Sequence, residues 1–142
     1  MIKGTDFTGV TISFQCHDGQ GNYVICRRSE QCRDEHGCWD FGGGGLKFNE
    51  ALIEGVKREV REEYGVDSLN IEFLGFDEIH REHESKKTHW ISFRYKVLVE
   101  REKVVNNEPD KHSDLQWVTL NNLPNPLHSQ LGKLLIKYQD KL

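Results

Sequence analysis

Apolar and polar residues alternate near the start of the chain with the period of a half-buried β-strand. The apolar positions of this stretch are Val10, Ile12, Phe14 and Cys16. A second apolar stretch, residues 23–27, follows a cluster of turn-forming residues at positions 17–22. Two short strands joined by such a turn predict a β-hairpin.

Further strands are predicted where apolar and β-branched residues gather again. These stretches are residues 39–41, which run into four consecutive glycines, and residues 69–79, 90–99 and 115–119. The polar segments at residues 29–38 and 81–87 are predicted to be loops, since neither has a regular apolar period.

The apolar period changes to that of an α-helix near residue 49, and the helical positions are Ile53, Val56, Val60 and Tyr64. Asn49 is placed to cap the helix, and Gly65 is placed to end it in a left-handed conformation. A second amphipathic helix is predicted over residues 127–138. This order of elements predicts an α/β fold, with a mixed β-sheet sandwiched between α-helices, and a single domain over residues 1–142.

Composition and charge narrow the classes of function. Of the 142 residues, 36% are hydrophobic and 30% are charged, and the formal net charge is −4. A nucleic-acid partner would require a basic surface, so we expect none, whereas a nucleotide held through a metal ion is compatible with this charge. No apolar run is long enough to span a membrane or to form a signal peptide, so we expect a cytoplasmic protein.

Four cysteines leave two interpretations open. Cys26, Cys32 and Cys38 could bind zinc together with His36, although the chain has no Cys-x-x-Cys pair. Cys16 and Cys26 lie in predicted strands, where a free thiol packs as a small buried hydrophobe. We therefore expect reduced thiols without a metal.

Three carboxylates of the first predicted helix share one face. Because each residue rotates the helix by about 100°, Glu59, Glu62 and Glu63 fall within roughly 100° of arc. This arc lies beside the apolar positions, so it borders the core. Like charges at this spacing repel each other, and a hard divalent cation such as Mg²⁺ or Mn²⁺ would compensate them. The alternative is a solvated helix face on which neighbouring lysine and arginine residues pair with the glutamates.

The glycines before the helix favour the metal site over the solvated face. Gly42–Gly45 leads from a strand into the helix, and glycine lets the backbone approach a phosphate or a metal ion closely. Gly44, Glu50 and residues 58–66 match every fixed position of the pattern G-x5-E-x7-R-E-U-x-E-E-x-G-U. This pattern is the Nudix box, so the chain resembles the Nudix hydrolases. The resemblance extends to residues 39–41, Trp117 and the Leu123-Pro124 pair.

The resemblance implies a Mg²⁺-dependent or Mn²⁺-dependent pyrophosphohydrolase and assigns roles to single residues. The implied metal ligands are Glu59, Glu62, Glu63 and the backbone carbonyl of Gly43. Arg58 would orient the glutamates, and Glu50 would support the loop before the helix.

The resemblance implies a general base that is either a box glutamate, Glu62 or Glu63, or a loop carboxylate outside the box. The loop candidate is Glu108, with Asp110 and Asp114 behind it, and the alternative for Glu108 is a solvated loop residue. The candidate substrate contacts are Gly43, Gly44, Trp39 and Trp90. Phe14 and Trp117 could also stack on a base, although such aromatic residues are more often part of the core.

The sequence departs from the family pattern at two positions, and it lacks two subgroup marks. Family members commonly have proline where Gly42 stands and glycine where Asn49 stands, and neither change removes a metal ligand. The proline of the ADP-ribose subgroup and the tyrosine of the dinucleoside-polyphosphate subgroup are both absent from residues 80–85.

The overall pattern most resembles MutT-like enzymes, which implies hydrolysis of a (d)NTP to a (d)NMP and pyrophosphate. The alternatives are a nucleotide-sugar hydrolase, a non-catalytic Nudix domain that binds a nucleotide or a partner, and removal of pyrophosphate from an RNA 5′ end. The sequence leaves the base, the sugar and a possible homodimer undetermined.

Overall fold

The computed structural model describes residues 1–142, apart from the side chain of His83. The elements of the described chain are β1 (Gly9–His17), β2 (Asn22–Arg28), β3 (Trp39–Asp40), β4 (Gly42–Gly45), α1 (Leu52–Tyr64), β5 (Asn70–His83), β6 (Lys86–Leu98), a short 3-10 helix (Arg101–Lys103), β7 (His112–Thr119) and α2 (Leu131–Lys137).

The strands form one mixed sheet. Its order is β3-β2-β1-β6-β5, with β4 paired to β1 and β7 paired to β2. Strands β1 and β6 run parallel, and the other pairs are antiparallel. This architecture confirms the predicted fold class, and it places β1 at the centre with the glycine strand β4 beside it.

Each face of the sheet carries a core of its own. Neighbouring residues of β2 point to opposite faces, so Val24 packs with α1 while Tyr23 and Ile25 pack with α2. The α1 core includes Val56, Val60 and Tyr64, and the α2 core includes Leu131, Leu134 and Tyr138. The sheet is therefore covered by a helix on both sides.

The start of α1 differs from the prediction. Asn49 is not the N-cap, because the helix begins at Leu52 after Ala51, which makes no side-chain capping bond. Asn49 instead takes a left-handed conformation with φ 63°, which asparagine tolerates better than most residues and which suits the glycine common at this position in the family. The predicted end is correct, since Gly65 has φ 66° and donates its N–H to the carbonyl of Arg61. Ile53 is exposed, so it does not belong to the buried face.

The predicted loop at residues 81–87 is wrong. Strands β5 and β6 stay paired as far as His83 and Lys86, and a two-residue turn joins them. Glu84 and Ser85 have φ 51° and 65°, the left-handed pair typical of a tight hairpin turn. Polar residues are compatible with this hairpin end because most of its side chains are exposed or only partly buried.

Helix α2 is shorter than predicted, and two of the four cysteines are buried in the sheet. Helix α2 starts later than predicted, at Leu131, but Leu131, Leu134 and Tyr138 are buried as expected. Cys16 and Cys26 are buried free thiols, and burial raises the pKa of both. Among the residues that the structure describes, no helix is long and apolar enough to cross a membrane.

Candidate active site

The glycine strand β4 lies between β1 and the carboxylates of α1. Gly42 pairs with Phe14 of β1, and Gly44 pairs with Ile12. A Cβ atom at Gly42 would lie 2.5 Å from Oε2 of Glu63, and one at Gly44 would lie 2.5 Å from both carboxylate oxygens of Glu59. A side chain at Gly44 would displace Glu59, and one at Gly42 would displace Glu63 and Phe14, because these side chains occupy the space beside the strand.

The three box glutamates differ in their surroundings. Glu59 and Glu63 are buried, with 8% and 3% of their surface exposed, whereas the side chain of Glu62 is 46% exposed. Burial, followed by the charges of Glu59 and Glu108, raises the pKa of Glu63 well above its ordinary value. Burial also raises the pKa of Glu59, against the opposing effect of Arg58. The arc thus borders the core, as the helix geometry predicts.

Arg58 connects the helix to the loop before it. Its Nε and Nη2 donate to the two oxygens of Glu50 at 2.7 and 2.9 Å, and Nη2 also donates to the carbonyl of Gly45 at 3.1 Å. Its Nη1 donates to Glu59 at 2.7 Å and to Glu62 at 3.2 Å. The hydrogen bonds from Arg58 lower the pKa of Glu50 to about 2. One guanidinium therefore holds the glycine strand and two box glutamates in a fixed relation.

A loop outside the box brings Glu108 to the same place. Asn107 donates its backbone N–H to the carbonyl of Glu63 at 3.0 Å and its side-chain amide to the carbonyl of Glu62 at 3.1 Å. The following Glu108 raises the pKa of Glu63, which reflects their proximity. Its Oε1 is buried without a hydrogen-bond partner among the described residues, and its Oε2 lies 3.3 Å from Nζ of Lys111.

Two neighbours of Glu108 were not recognised in the sequence. Lys111 lies close enough to Glu108, Glu63 and Glu59 for their charges to contribute to a raised Lys111 pKa, although burial opposes the rise. His112 is buried, which lowers its pKa, and its Nδ1 has no partner among the described residues. The only feature of the sequence that points to Lys111 and His112 is their position shortly after the candidate base Glu108. Asp110 and Asp114 are exposed.

A cavity of about 370 Å³ opens beside the glycine strand. Its apolar lining residues include Phe41, Ile79, Trp90, Leu131 and Leu134, and its polar ones include Ser13, Gln15, Ser92 and Arg94. A pocket of this size and mixed character suits a small organic ligand.

The candidate aromatic contacts separate into one cavity residue and three packing residues. Trp90 lines the cavity, and its ring packs against the N-terminal segment, where a side chain at Gly4 or Gly9 would overlap it. Trp39 is buried in the α2 core and is not part of the cavity lining, so the structure gives it a packing role. The remaining two are also placed by packing: Phe14 contacts Tyr64 edge-on, and the Trp117 ring lies under Arg101.

The loop at residues 29–38 is fastened across one side of the cavity. Glu35 accepts bonds from the backbone N–H of Ser129 at 2.8 Å and from Arg81 at 3.2 Å, and it lies 2.6 Å from Nε2 of His128. Burial opposes ionisation of Glu35, but these partners outweigh it and lower its pKa.

The fastening residues Asp34, Glu35 and His128 are close enough to hold a metal ion. However, Asp34 is already paired with Arg28 and Arg81, and Glu35 has the partners just described. The carboxylate oxygens are occupied by these bonds. The group is therefore an ion-pair network that holds the loop at residues 29–38 in place. The sequence did not predict it, since its members are as far as 94 positions apart.

A mixed sheet between two helices, with a glycine strand against a carboxylate-bearing helix, is the architecture of a Nudix hydrolase. The NUDIX domain family model matches residues 8–138, and the chain therefore belongs to the Nudix family. The predicted enzyme class, a Nudix pyrophosphohydrolase, is confirmed at the level of this family.

Several solved structures share the fold. The MutT NUDIX hydrolase of Burkholderia pseudomallei has a TM-score of 0.79 and 24% identity, over 93% of this chain and 98% of that one. The MutT protein of Methanosarcina mazei Go1 has a TM-score of 0.76 and 24% identity, over 94% of both chains. The NUDIX domain of Shewanella oneidensis NrtR, in complex with ADP ribose, has a TM-score of 0.75 and 20% identity, over 96% and 89%. At these identities the likeness concerns the fold.

Proposed function

We propose that the protein hydrolyses a nucleoside triphosphate or deoxynucleoside triphosphate to the monophosphate and pyrophosphate, with Mg²⁺ as cofactor. The observation that carries this proposal is a pair of carboxylates, the buried Glu63 and the partly buried Glu108, each with a buried oxygen that has no partner among the described residues. They lie at the glycine strand, and the strand borders a cavity large enough for a nucleoside.

The residues fit a hard divalent cation. Unpaired buried carboxylate oxygens are costly unless a cation or a donor satisfies them, and oxygen ligands suit Mg²⁺ or Mn²⁺. The proposed ligands are Glu59, Glu62, Glu63 and the carbonyl of Gly43. When bound, the cation would neutralise phosphate charge and lower the pKa of a water molecule.

The protein's own groups would position the reaction and accept the proton. Arg58 would orient Glu59 and Glu62 through hydrogen bonds of 2.7 and 3.2 Å, and Glu50 would hold Arg58 in place by accepting two more. Glu108 is our proposed general base, because its Oε1 is free and lies near Glu63, with a box glutamate as the alternative. Gly43, Gly44 and Trp90 would contact the substrate.

Nucleoside-diphosphate sugars are the second candidate substrates. The observation in their favour is the likeness to the NrtR domain solved with ADP ribose, at 20% identity. Both substrates would place a diphosphate at the glycine strand. They differ in the group attached to the diphosphate, which is a phosphate in one case and a sugar in the other.

Incubation of the protein with a panel of triphosphates and nucleotide sugars in Mg²⁺ would test the proposal. We expect monophosphate and pyrophosphate from a triphosphate, with label from ¹⁸O-water in one of these two products, and no turnover after chelation. Inorganic phosphate and a diphosphate as the first products would refute it. A preference for a nucleotide sugar over every triphosphate would support the second candidate.

A further inference from the structure

We propose that Gln15 reads the nucleobase at the floor of the cavity, with its Oε1 accepting a hydrogen bond from an N–H of the base while Arg94 donates to a neighbouring acceptor. The inference rests on the proposed function in one respect, namely that the cavity beside the glycine strand holds the nucleoside. It names the residues that would decide which rings the site accepts.

Gln15 is an unusual residue for the centre of a sheet. It lies on β1, has no exposed surface and lines the cavity. Its Nε2 donates to Oγ of Ser13 at 3.0 Å, but its Oε1 has no partner among the described residues. A buried acceptor without a donor destabilises a folded protein, so its retention points to a donor that arrives with a ligand.

Arg94 lies beside Gln15 on the neighbouring strand. Ser13 and Arg94 are register partners of the parallel β1–β6 pair, and Nη1 of Arg94 donates to the same Oγ of Ser13 at 3.2 Å. Gln15 and Arg94 bond to the same hydroxyl oxygen and both line the cavity, so the amide group of Gln15 and the guanidinium lie side by side at its wall. Nη2 of Arg94 makes no hydrogen bond to the described residues that would compete with a ligand.

Asp77 anchors the guanidinium of Arg94 on the side away from Ser13. Its Nε donates to Asp77 at 3.0 Å, and Asp77 also accepts bonds from Lys137 at 2.6 Å and from the Tyr138 hydroxyl at 3.0 Å. Lys137 and Tyr138 therefore fix the orientation of the guanidinium through Asp77, so its N–H groups can point in few other directions.

A ring with a polar edge fits this floor. The apolar residues Trp90, Ile79 and Leu134 line the cavity and suit the faces of a flat ring, while Gln15 and Arg94 offer one acceptor and one donor. A nucleobase carries a donor next to an acceptor on one edge. A ring of the same shape without an N–H would leave Oε1 unsatisfied, and sites of this kind reject such analogues strongly.

Binding of three monophosphates would test the assignment without turnover. The ligands are adenosine and inosine 5′-monophosphate, which carry an N–H on the six-membered ring edge, and purine riboside 5′-monophosphate, which does not. We expect calorimetry on the full chain to show that the better of the first two binds about tenfold or more tightly than the third. Equal binding of all three, or no binding at millimolar concentration, would overturn the proposal.

Gln15→Met tests the residue itself, because methionine has a similar length and no oxygen. In this variant the ratio of the two affinities should fall to about one, because the ligand that carries the N–H binds more weakly. Gln116→Met, at an exposed position of β7, is the control and should leave the ratio unchanged. The melting temperature of Gln15→Met should equal or exceed that of the wild type, since the variant removes an unpaired buried oxygen. An unchanged preference in Gln15→Met would mean that only water satisfies Oε1.

The two proposals fail in different ways. If the monophosphate preference holds but no triphosphate is hydrolysed in Mg²⁺, the proposed function is wrong and the base contact stands. If triphosphates are hydrolysed but purine riboside 5′-monophosphate binds as tightly as the others, only the base contact is wrong.

Discussion

The two ends of the candidate site are built in contrasting ways. The carboxylate end comes from residues 42–65 together with Glu108 of a later loop, and burial and the neighbouring carboxylates raise the pKa of Glu63 there. The cavity end draws on several elements, among them β1, β5, β6 and α2, and Arg94 is paired there with Asp77, which Lys137 also pairs with. The difference supports our proposals that the first end binds a cation and that the second, which is already organised, binds a neutral polar group.

Removal of the charge of Glu63 should have the largest effect. We expect Glu63→Gln to lower kcat by on the order of 10²-fold or more at saturating Mg²⁺, because the variant keeps the shape but loses a ligand charge. The melting temperature of the metal-free protein should not fall, since glutamine avoids the cost of a buried carboxylate. Glu54→Gln, on the exposed first turn of the same helix, is the matched control. A rate close to that of the wild type would remove Glu63 from the proposed metal site.

The contrast also explains what the sequence could predict. At the carboxylate end, helix rotation alone placed Glu59 and Glu63 beside the core, and the spacing to Gly44 fixed the contact with the glycine strand. The contacts of Gly42 with Glu63 and of Gly44 with Glu59 join residues 21 and 15 positions apart, so the glycine strand and the helix that follows it determine them. The box pattern then identified the family.

The cavity end was not predicted, because it depends on strand register. Ser13 and Arg94 meet across 81 positions of sequence, and no local pattern specifies that pairing. Gln15 has the alternating spacing of an outward-facing strand residue, so its burial became evident only once α2 was placed. For the same reason the sequence did not predict the hydrogen bonds between Glu35 and Ser129, which lie 94 positions apart.

Replacement of Arg58 should weaken metal binding while the carboxylates remain. Arg58→Lys keeps the charge but cannot reproduce the two parallel bonds to Glu50, so we expect Mn²⁺ affinity to fall by about 10-fold to 100-fold. Titration by electron paramagnetic resonance would measure it. Arg61→Lys, on the exposed side of α1 where Arg61 pairs with Asp67, should bind Mn²⁺ as the wild type does. Equal affinities in both variants would argue that the glutamates need no support from the arginine.

A pair of glycine substitutions compares the close contact at the carboxylate end with an open position. Gly44→Ala should destabilise the protein by about 1–3 kcal/mol, because its Cβ would overlap the carboxylate of Glu59. Gly132→Ala in α2, where a Cβ meets nothing within 4 Å, should stabilise it by about 0.5–1 kcal/mol. Urea unfolding would measure both. Similar free energies for the two variants would mean that Glu59 can move away from the strand at little cost.

The smallest effect is expected at the cavity end and depends on pH. Burial alone would raise the pKa of Asp77, but the hydrogen bonds from Lys137, Arg94 and Tyr138 outweigh it and lower the pKa. A carboxyl group with a lowered pKa stabilises the fold above its unfolded pKa, about 3.9, and this contribution is lost as the pH falls through the folded value. The free energy of unfolding of Asp77→Asn should therefore lie below that of the wild type by a constant amount between pH 5 and pH 6, where the carboxyl group is ionised in both states. The gap should narrow from about pH 4 downward.

The Lys137→Met background tests the source of this gap, because it lacks the shortest of the three bonds to Asp77. In that background, Asp77→Asn should lower the free energy of unfolding at pH 6 by less than it does in the wild type. A gap that stayed constant down to pH 2 would show that Asp77 contributes through its shape alone, and the cavity end would then lack the fixed charges that distinguish it from the carboxylate end.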